Sequence, residues 1–304
     1  MAIFTGSGTA LCTPFFQTSG DDTPKFNEEA YRKLIEFQIE NGTDAIIACG
    51  TTGEVSTLDN DEHVEVARVA VQAVKEQKEK GRQVPVIAGA GGNDTRNILG
   101  LIKRLEQVGV DAIMLVTPYY NRTSQRGLIE HFSLIAAKTD LPIILYNVPS
   151  RTSLNMLPET LAELAKIPNI AAVKEASGNI TQIAEVLALC GDNLDVYSGN
   201  DDHIVPVLSL GGKGVISTIA NIAPQQVHDM IFSYLDGKTA TAAKMQLAML
   251  PLIKQLFADV NPMPVKAALN MLGLQVGNCR RPLTTIDSTL QENLTKEMER
   301  YGLL

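Results

Sequence analysis

The sequence predicts a (β/α)8 barrel followed by a small helical domain, and three observations support this fold class. Eight short apolar runs occur between residues 8 and 220, and each is bounded by glycine or proline. The runs are continuously apolar rather than alternating, which is typical of parallel strands that are covered on both faces. Between the runs lie segments with the periodicity of amphipathic helices. Strands that alternate with helices over about 235 residues favour a closed barrel.

The candidate strands are rich in aliphatic and β-branched residues. They lie near residues 9, 46, 87, 114, 145, 173, 196 and 217, in the stretches "GTALCTPF", "DAIIACG", "VPVIAGA", "DAIMLVTP", "PIILYNVP", "IAAVKEA", "LDVYSG" and "GVISTIA". The alternative α/β architecture, a doubly wound open sheet that binds a dinucleotide, is disfavoured because no GxGxxG follows the first strand.

The first predicted helix, in "NEEAYRKLIEFQIENG", has Asn27 as its N-cap and stops at Gly42. Its apolar stripe consists of Tyr31, Leu34, Ile35 and either Gln38 or Ile39. The second helix is predicted from Asp59 to Gly81. Five further helical patterns follow, in "TRNILGLIKRLEQVG", "SQRGLIEHFSLIAAKT", "LPETLAELAKI", "NITQIAEVLALCG" and "DDHIVPVLSLGG".

The pattern changes after the eighth strand. From about Ala223 onward only helical stretches remain, broken at "LDGKT", "NPMP" and "GNCRRPLT". We therefore predict a barrel domain over residues 1–237 and a helical domain over residues 238–304.

Composition excludes several function classes. The chain of 304 residues has a net charge of -8 and no basic run, so it lacks the electrostatic footprint of a nucleic-acid-binding protein. No apolar run reaches the roughly 18 residues that span a bilayer, and the N-terminus lacks the charged start of a signal peptide. Four widely spaced cysteines form no CxxC pair, so we expect buried free thiols rather than a zinc site: Cys12, Cys49, Cys190 and Cys279.

The chemistry of this fold belongs at the carboxyl ends of the strands. These ends carry "GTTGE", "GAGGN", "TPYYN", "YNVPSR", Lys174 and "SGNDD", a set rich in hydroxyl groups and without a metal-ligand cluster. The four histidines fall in predicted helices, where packing or surface roles are expected: His63, His131, His203 and His228.

Lys174 is an unusual residue for an apolar strand. Strand alternation places it on one face with Ala172 and Ala176, whose small side chains leave room for a ligand if that face points into the barrel. Desolvation disfavours a buried ammonium group and favours the neutral amine, which is a nucleophile. An amine nucleophile without a metal indicates Schiff-base chemistry on a carbonyl compound. The alternative is a buried salt bridge, although Glu175 would point to the opposite face.

Two neighbouring features could support that chemistry. Tyr146 ends the preceding strand, where its phenol could pass protons during imine formation, or it could simply be a half-buried tyrosine with a solvated hydroxyl. The hydroxyls and amides of "GTTGE" could hold a carboxylate, or the segment could be only a turn.

Taken together, "GTTGE", "TPYYN", "YNVPSRT", "VKEASGN" and "GVIS" resemble the dihydrodipicolinate synthases, also called 4-hydroxy-tetrahydrodipicolinate synthases. These enzymes belong to the pyruvate-dependent class I aldolases. The resemblance covers nearly the whole chain, with the motifs in the same order. It implies that Lys174 forms an imine with pyruvate, and that the resulting enamine attacks L-aspartate 4-semialdehyde in lysine and diaminopimelate biosynthesis.

The resemblance also implies roles for other residues. Tyr146, Thr51 and Tyr120 match the proton relay of the family, in which Tyr120 crosses a dimer interface into the neighbouring active site. Thr52 matches the residue that holds the pyruvate carboxylate, and Arg151 matches the residue that binds the semialdehyde carboxylate. The positions that match pocket-lining residues are Gly199 and Ile216. A cytoplasmic homotetramer made of two tight dimers, without a cofactor or metal, is implied as well.

A candidate effector site follows from the same resemblance. In lysine-sensitive members, lysine binds at the tight-dimer interface, and the matching positions here are Val55, Ser56, Asn60, His63, Asn93, Asn97 and Tyr119. His63, Asn93 and Tyr119 keep the pattern. Asn60 stands where some sensitive members have histidine, and Asn97 stands where they have glutamate. An amide supplies no charge to a lysine amino group, so we predict weak or absent inhibition by lysine.

Two other functions compete with this interpretation. A different pyruvate-type aldolase, acting on a sugar acid or a hydroxy-oxo acid, would keep Lys174 and Tyr146 but would not need Arg151 or the two threonines. A non-catalytic barrel that binds a small acid would form no covalent adduct.

Overall fold

The computed structural model describes residues 2–17, 23–78 and 83–304. In this part of the chain, eight parallel strands form a closed barrel in sequential order, and β8 pairs with β1 to close it. The predicted fold class is confirmed. The strands are β1 (Gly6–Ala10), β2 (Ala45–Ala48), β3 (Val86–Gly89), β4 (Ala112–Val116), β5 (Ile143–Asn147), β6 (Ile170–Glu175), β7 (Asp195–Ser198) and β8 (Gly214–Ser217).

Helices connect and surround the strands. Those of the barrel are α1 (Glu28–Glu40), α2 (Asn60–Lys78), α3 (Thr95–Val108), α4 (Gln125–Ala136), α5 (Pro149–Thr152), α6 (Pro158–Leu164), α7 (Ile180–Cys190), α8 (Ile204–Ser209) and α9 (Pro224–Leu235). Three more follow: α10 (Thr239–Leu256), α11 (Met263–Met271) and α12 (Ser288–Tyr301). Within the described residues, no helix is both long and apolar enough to cross a membrane.

The first helix forms as its sequence predicts. The Asn27 side chain accepts a hydrogen bond from the Ala30 amide, which satisfies one of the free N–H groups at the helix start. The predicted apolar stripe is buried, and both Gln38 and Ile39 belong to it. The chain leaves α1 through Gly42, whose φ of 90° suits glycine. For α2, the predicted end at Gly81 lies outside the described residues.

One predicted helix is shorter than expected. The segment "DDHIVPVLSLGG" begins with a 3-10 turn over Asp201–His203, so His203 lies in that turn, and α8 follows it. The Asp201 carboxylate accepts hydrogen bonds from the amides of Thr218 and Ile219. These bonds attach Asp201 to the residues that follow β8. The start of the predicted helix is therefore held as a tight turn.

The core has two parts, one on each face of the barrel wall. The larger part lies between the strands and the surrounding helices. The smaller part fills the barrel interior and includes Phe4, Ile47, Ile87, Met114, Ile144, Tyr146, Ala172, Ala176, Tyr197 and Ile216. Ala172 and Ala176 therefore face inward, as the alternation around Lys174 predicts. At the amino end of the barrel, the Phe4 ring stacks on Tyr197 with centroids 4.3 Å apart.

Helices α10 and α11 pack near the carboxyl end of the barrel, and α12 packs on both of them. α10 contacts α8, α9 and the turn at Asp201–His203, while α11 contacts the turn at Ile219–Asn221. A domain boundary between residues 237 and 238 would fall immediately before α10, and we retain it as a proposal.

Candidate active site

Lys174 lies inside the barrel in the same row of residues as two tyrosines. The strand register pairs it with Tyr146 of β5 on one side and with Tyr197 of β7 on the other. Its Nζ lies 4.3 Å from the centroid of the Tyr146 ring, and only 5% of the lysine is exposed. Among the described residues, no carboxylate lies within 4.0 Å of this nitrogen, and no group hydrogen-bonds to it. The salt bridge considered as an alternative for Lys174 is therefore not formed.

Glu175 points to the other side of the sheet. Its carboxylate accepts hydrogen bonds from the Asn147 side chain at 2.9 Å and from the Ser177 amide at 2.7 Å. Burial raises the pKa of Glu175, and these hydrogen bonds partly oppose the shift. Asn147 in turn accepts a hydrogen bond from the Met156 amide. This network behind β5 and β6 fixes the strand ends that carry Tyr146 and Lys174.

The segment Gly50–Glu54 forms a tight turn after β2. The amides of Gly53 and Glu54 donate to the carbonyls of Gly50 and Thr51. A side chain at Gly53 would come within 3.0 Å of the Leu11 carbonyl, so this glycine allows the turn to lie against the end of β1. The turn places Thr51 half-buried and Thr52 buried.

Thr52 contacts two residues that the sequence did not indicate. Its Oγ1 accepts a hydrogen bond from Asn261 Nδ2 at 3.0 Å and lies 3.4 Å from the hydroxyl of Thr218. Because the Asn261 amide occupies one lone pair, the Thr52 proton remains available to an acceptor such as Thr218 or a ligand carboxylate.

Arg151 lies in the short helix α5, directly after the strand that carries Tyr146. Its side chain is exposed, and Nη2 donates to the backbone carbonyl of Asn261 at 3.3 Å. Asn261 thus connects Arg151 to Thr52, the two residues expected to hold the two substrate carboxylates. Most of the guanidinium donors stay available for a ligand.

Gly199 directly follows β7, and Ile216 lies near the end of β8. Ile216 is part of the barrel interior. The Gly199 amide donates to the Glu175 carbonyl at 2.7 Å, and a Cβ at this position would lie 2.5 Å from the Cβ of Ala176. Nearby, Asp201 is buried with one carboxylate oxygen on two backbone amides. Burial raises the pKa of Asp201, while its hydrogen bonds and the positive charge of Lys174 oppose the shift.

Tyr120 does not join this cluster within the chain. Its side chain is 92% exposed, and its backbone has a φ of 71° in the left-handed region, which is uncommon for a residue other than glycine. A tyrosine held in this way projects its ring away from the surface of its own subunit.

The residues of the candidate effector site line a groove of about 360 Å³ that also borders Thr51 and Arg151. His63, Asn93 and Tyr119 lie in it together with Val55, Ser56, Asn60 and Asn97. The ring of His63 is buried and donates through Nε2 to the Gly89 carbonyl at 2.6 Å, and burial lowers the pKa of this histidine. Asn93 donates to the Tyr119 carbonyl.

A second buried lysine lies behind the Gly50–Glu54 turn. Lys266 of α11 forms an ion pair with Glu54 at 2.8 Å. Sequence reasoning missed this pair, since "PMPVKAALNM" resembles any helix with one charged residue.

The chain matches the model of the dihydrodipicolinate synthetase family over residues 3–301. The 4-hydroxy-tetrahydrodipicolinate synthase of Caldicellulosiruptor saccharolyticus is 52% identical over 303 residues, covering 100% of this chain and 99% of that protein. The DHDPS from Cyanidioschyzon merolae with lysine bound has a TM-score of 0.94 and 39% identity, with 100% of both chains covered. The chloride-inhibited dihydrodipicolinate synthase of Acinetobacter baumannii complexed with pyruvate has a TM-score of 0.92 and 36% identity, with 99% of both chains covered. The chain is therefore an enzyme of the dihydrodipicolinate synthetase family.

Proposed function

We propose that this enzyme catalyses the reaction for which its relatives are named, the condensation of pyruvate with L-aspartate 4-semialdehyde. The observation that carries the proposal is Lys174, a lysine buried inside the barrel that contacts the Tyr146 ring and has no carboxylate within 4.0 Å among the described residues. With no protein acceptor among the described residues, this nitrogen is free to react with a substrate carbonyl. A lysine side chain beside a phenol is suited to form an imine with a 2-oxo acid.

The chemistry follows from the imine. The Lys174 nitrogen attacks the carbonyl carbon of pyruvate, and loss of one water gives the imine. Loss of a proton from the methyl carbon then gives an enamine, which attacks the aldehyde carbon of the semialdehyde. The amino group of the second substrate finally attacks the imine carbon, which closes the ring and releases the lysine. The net reaction joins the two substrates and releases one water.

Tyr146 is the proton carrier that the chain itself supplies. Its ring lies against Lys174 Nζ, so its hydroxyl belongs to the same part of the barrel interior as the reacting carbons. Thr51 lies half-buried on the neighbouring turn and extends the relay toward solvent. Tyr120 is the third member, and because its ring projects from its own subunit, it acts in the site of a second copy.

Two separate anchors hold the two carboxylates. Thr52 donates its hydroxyl proton to the pyruvate carboxylate, since its oxygen already accepts from Asn261. Arg151 at the mouth binds the semialdehyde carboxylate, and its planar guanidinium suits a bidentate contact. Gly199 and Ile216 line the pocket between these anchors.

The role of Tyr120 requires at least a dimer, and the family resemblance extends this assembly to a homotetramer of two tight dimers in the cytoplasm. Both the tetramer and the location remain predictions. Sedimentation analysis of the purified full chain measures the assembly, and a Tyr120→Phe variant measures the contribution from the neighbouring copy.

A substrate comparison tests the function directly. We expect condensation with pyruvate and L-aspartate 4-semialdehyde to be faster by orders of magnitude than cleavage of sialic acid or of oxo sugar acids. A higher rate with a sugar acid would instead identify a different pyruvate-type aldolase. Absence of any pyruvate adduct would exclude the Schiff-base mechanism.

A further inference from the structure

The buried ion pair between Lys266 and Glu54 joins the C-terminal helices to the turn that carries Thr51 and Thr52. The two side chains are almost completely inaccessible, and the Lys266 nitrogen lies 2.8 Å from a Glu54 carboxylate oxygen. The same nitrogen donates to the carbonyls of Thr13 at 3.0 Å and Asn278 at 2.9 Å. All three ammonium protons therefore have an acceptor.

Glu54 is equally constrained. Its second carboxylate oxygen accepts a hydrogen bond from the Arg280 amide at 2.8 Å, and its backbone has a φ of 54° in the left-handed region. A glutamate in this conformation is held there by its surroundings. The Gly50–Glu54 turn thus ends in a residue whose position is set by Lys266 and by the backbone of the C-terminal segment.

Lys266 also reaches the turn by a second route. It binds the Thr13 carbonyl, and the Thr13 hydroxyl donates to the Gly53 carbonyl at 2.7 Å. Beneath the ion pair, the Phe15 ring lies 4.4 Å from the Lys266 nitrogen. One ammonium group therefore fixes both the last residue of the turn and the loop that supports it.

We propose that Lys266 is a positioning residue for the reaction, which acts through Glu54 to hold Thr51 and Thr52 where the pyruvate carboxylate binds. The inference rests on the proposed function, since it takes Thr52 as the carboxylate anchor. Lys266 does not touch the substrate. Its effect on rate comes from placement, because a displacement of about 1 Å in a substrate-binding group can reduce activity about 100-fold.

The proposal predicts a selective kinetic defect. The double variant Glu54→Gln/Lys266→Met removes both buried charges together, so neither is left without a partner. We expect its Michaelis constant for pyruvate to rise roughly tenfold or more, and that for the semialdehyde to change by less than about twofold. Borohydride trapping with pyruvate should still label Lys174, but more slowly at a given pyruvate concentration.

Glu62→Gln is the matched control. Glu62 forms an ion pair with the Arg280 side chain, so it also joins the C-terminal segment to the barrel, whereas Glu54 is held by the Arg280 backbone amide, which this variant leaves in place. This variant should have the same Michaelis constant for pyruvate as the parent enzyme. Single substitutions at Lys266 and at Glu54 are measured alongside it.

The outcomes are distinct. Equal increases in the Michaelis constants for both substrates would overturn the positioning role. So would an unchanged Michaelis constant for pyruvate with only a smaller fraction of active protein. Loss of folding in every Lys266 and Glu54 variant would also overturn it, because the pair would then be an ordinary core contact. If the parent enzyme forms no pyruvate adduct, the proposed function fails first, and the two failures are told apart in the same experiment.

Discussion

Two lysines are buried in the described part of the chain, and they differ in what surrounds the side-chain nitrogen. Lys174 in the barrel interior is 5% exposed, and Lys266 in the C-terminal helices is 1% exposed. Each nitrogen lies close to one aromatic ring, at 4.3 Å from Tyr146 and 4.4 Å from Phe15. Lys266 has one carboxylate and two carbonyls as acceptors, whereas Lys174 has no acceptor among the described residues.

The comparison teaches that burial alone does not identify a reactive lysine. A buried charge is costly unless it is paired and hydrogen-bonded. Lys266 meets that cost with a full set of partners and stabilises the fold. Among the described residues Lys174 has no such partner, so its nitrogen stays available to a substrate.

Matched substitutions at the two lysines should separate activity from stability, and this is the largest effect we expect. Lys174→Met should abolish synthase turnover without lowering the free energy of unfolding, because in the described part of the chain no hydrogen-bond partner of Lys174 is left unpaired. Lys266→Met should lower that free energy by about 3–5 kcal/mol, because it leaves the Glu54 carboxylate buried without its cation. Chemical denaturation and turnover assays on both variants measure the two effects.

The opposite stability changes in these two variants would contradict the contrast between the two lysines. A strongly destabilised Lys174→Met protein would show that Lys174 has a structural partner. A Lys266→Met protein as stable as its parent would show that the ion pair contributes little to the fold.

The next effect concerns the phenol beside Lys174. Tyr146→Phe keeps the ring beside the Lys174 nitrogen and removes the hydroxyl, so it isolates proton transfer from packing. We expect kcat to fall by about 10²–10⁴, the usual contribution of a general acid–base group. Steady-state kinetics gives this value, and near-parental kcat would assign proton transfer to another group. The Lys174 adduct should still be trapped by borohydride in this variant.

Among the described residues, Arg151 has fewer hydrogen-bond acceptors than Lys266 and more than Lys174. It is exposed, and its one acceptor is a backbone carbonyl at 3.3 Å. A charge-assisted contact with the semialdehyde carboxylate contributes about 1.5–3 kcal/mol. Arg151→Ala should therefore raise the Michaelis constant for the semialdehyde roughly tenfold or more, with a smaller effect on pyruvate. Arg126→Ala, at an exposed arginine of α4, is the control and should change neither constant. A larger effect on pyruvate would contradict the role of Arg151.

The candidate effector groove is predicted to bind a cationic amino acid, and it has the uncharged Asn97 where lysine-sensitive members of the family have glutamate. We expect weak or absent inhibition by L-lysine in the parent enzyme. Asn97→Glu should increase lysine affinity roughly fivefold to a hundredfold, the range for about 1–3 kcal/mol. Asn97→Gln, which adds length without charge, is the matched control. Inhibition curves decide the question, and strong inhibition of the parent would show that the missing charge is not needed.

Local sequence patterns were sufficient for the fold and for Lys174. Continuous apolar strands and period-two alternation depend on adjacent residues, so the barrel and the inward face of β6 could be read directly. The family and its activity, inferred from motifs in order, are confirmed by the comparisons with known proteins. The roles of the individual site residues remain predictions.

Long-range pairs could not be read from those patterns. Glu54 and Lys266 are 212 positions apart, and nothing near either residue indicates the other. Asn261 likewise reaches Thr52 from a segment that gave no catalytic signal. The Asp201 turn shortened a predicted helix because its partners, Thr218 and Ile219, lie just after β8 and far away in sequence. Such contacts depend on how elements pack, and helix or strand periodicity carries no information about the partner.

The most direct test of the contrast between the lysines is to trap the imine. The full-length enzyme is reduced with borohydride in the presence of pyruvate, digested with trypsin and analysed by mass spectrometry. We expect a pyruvate-derived mass on the one peptide that contains Lys174, none on the peptide that contains Lys266, and no adduct on Lys174→Met protein. An adduct on another lysine, or trapping by the Lys174→Met protein, would contradict the assignment of Lys174 as the nucleophile.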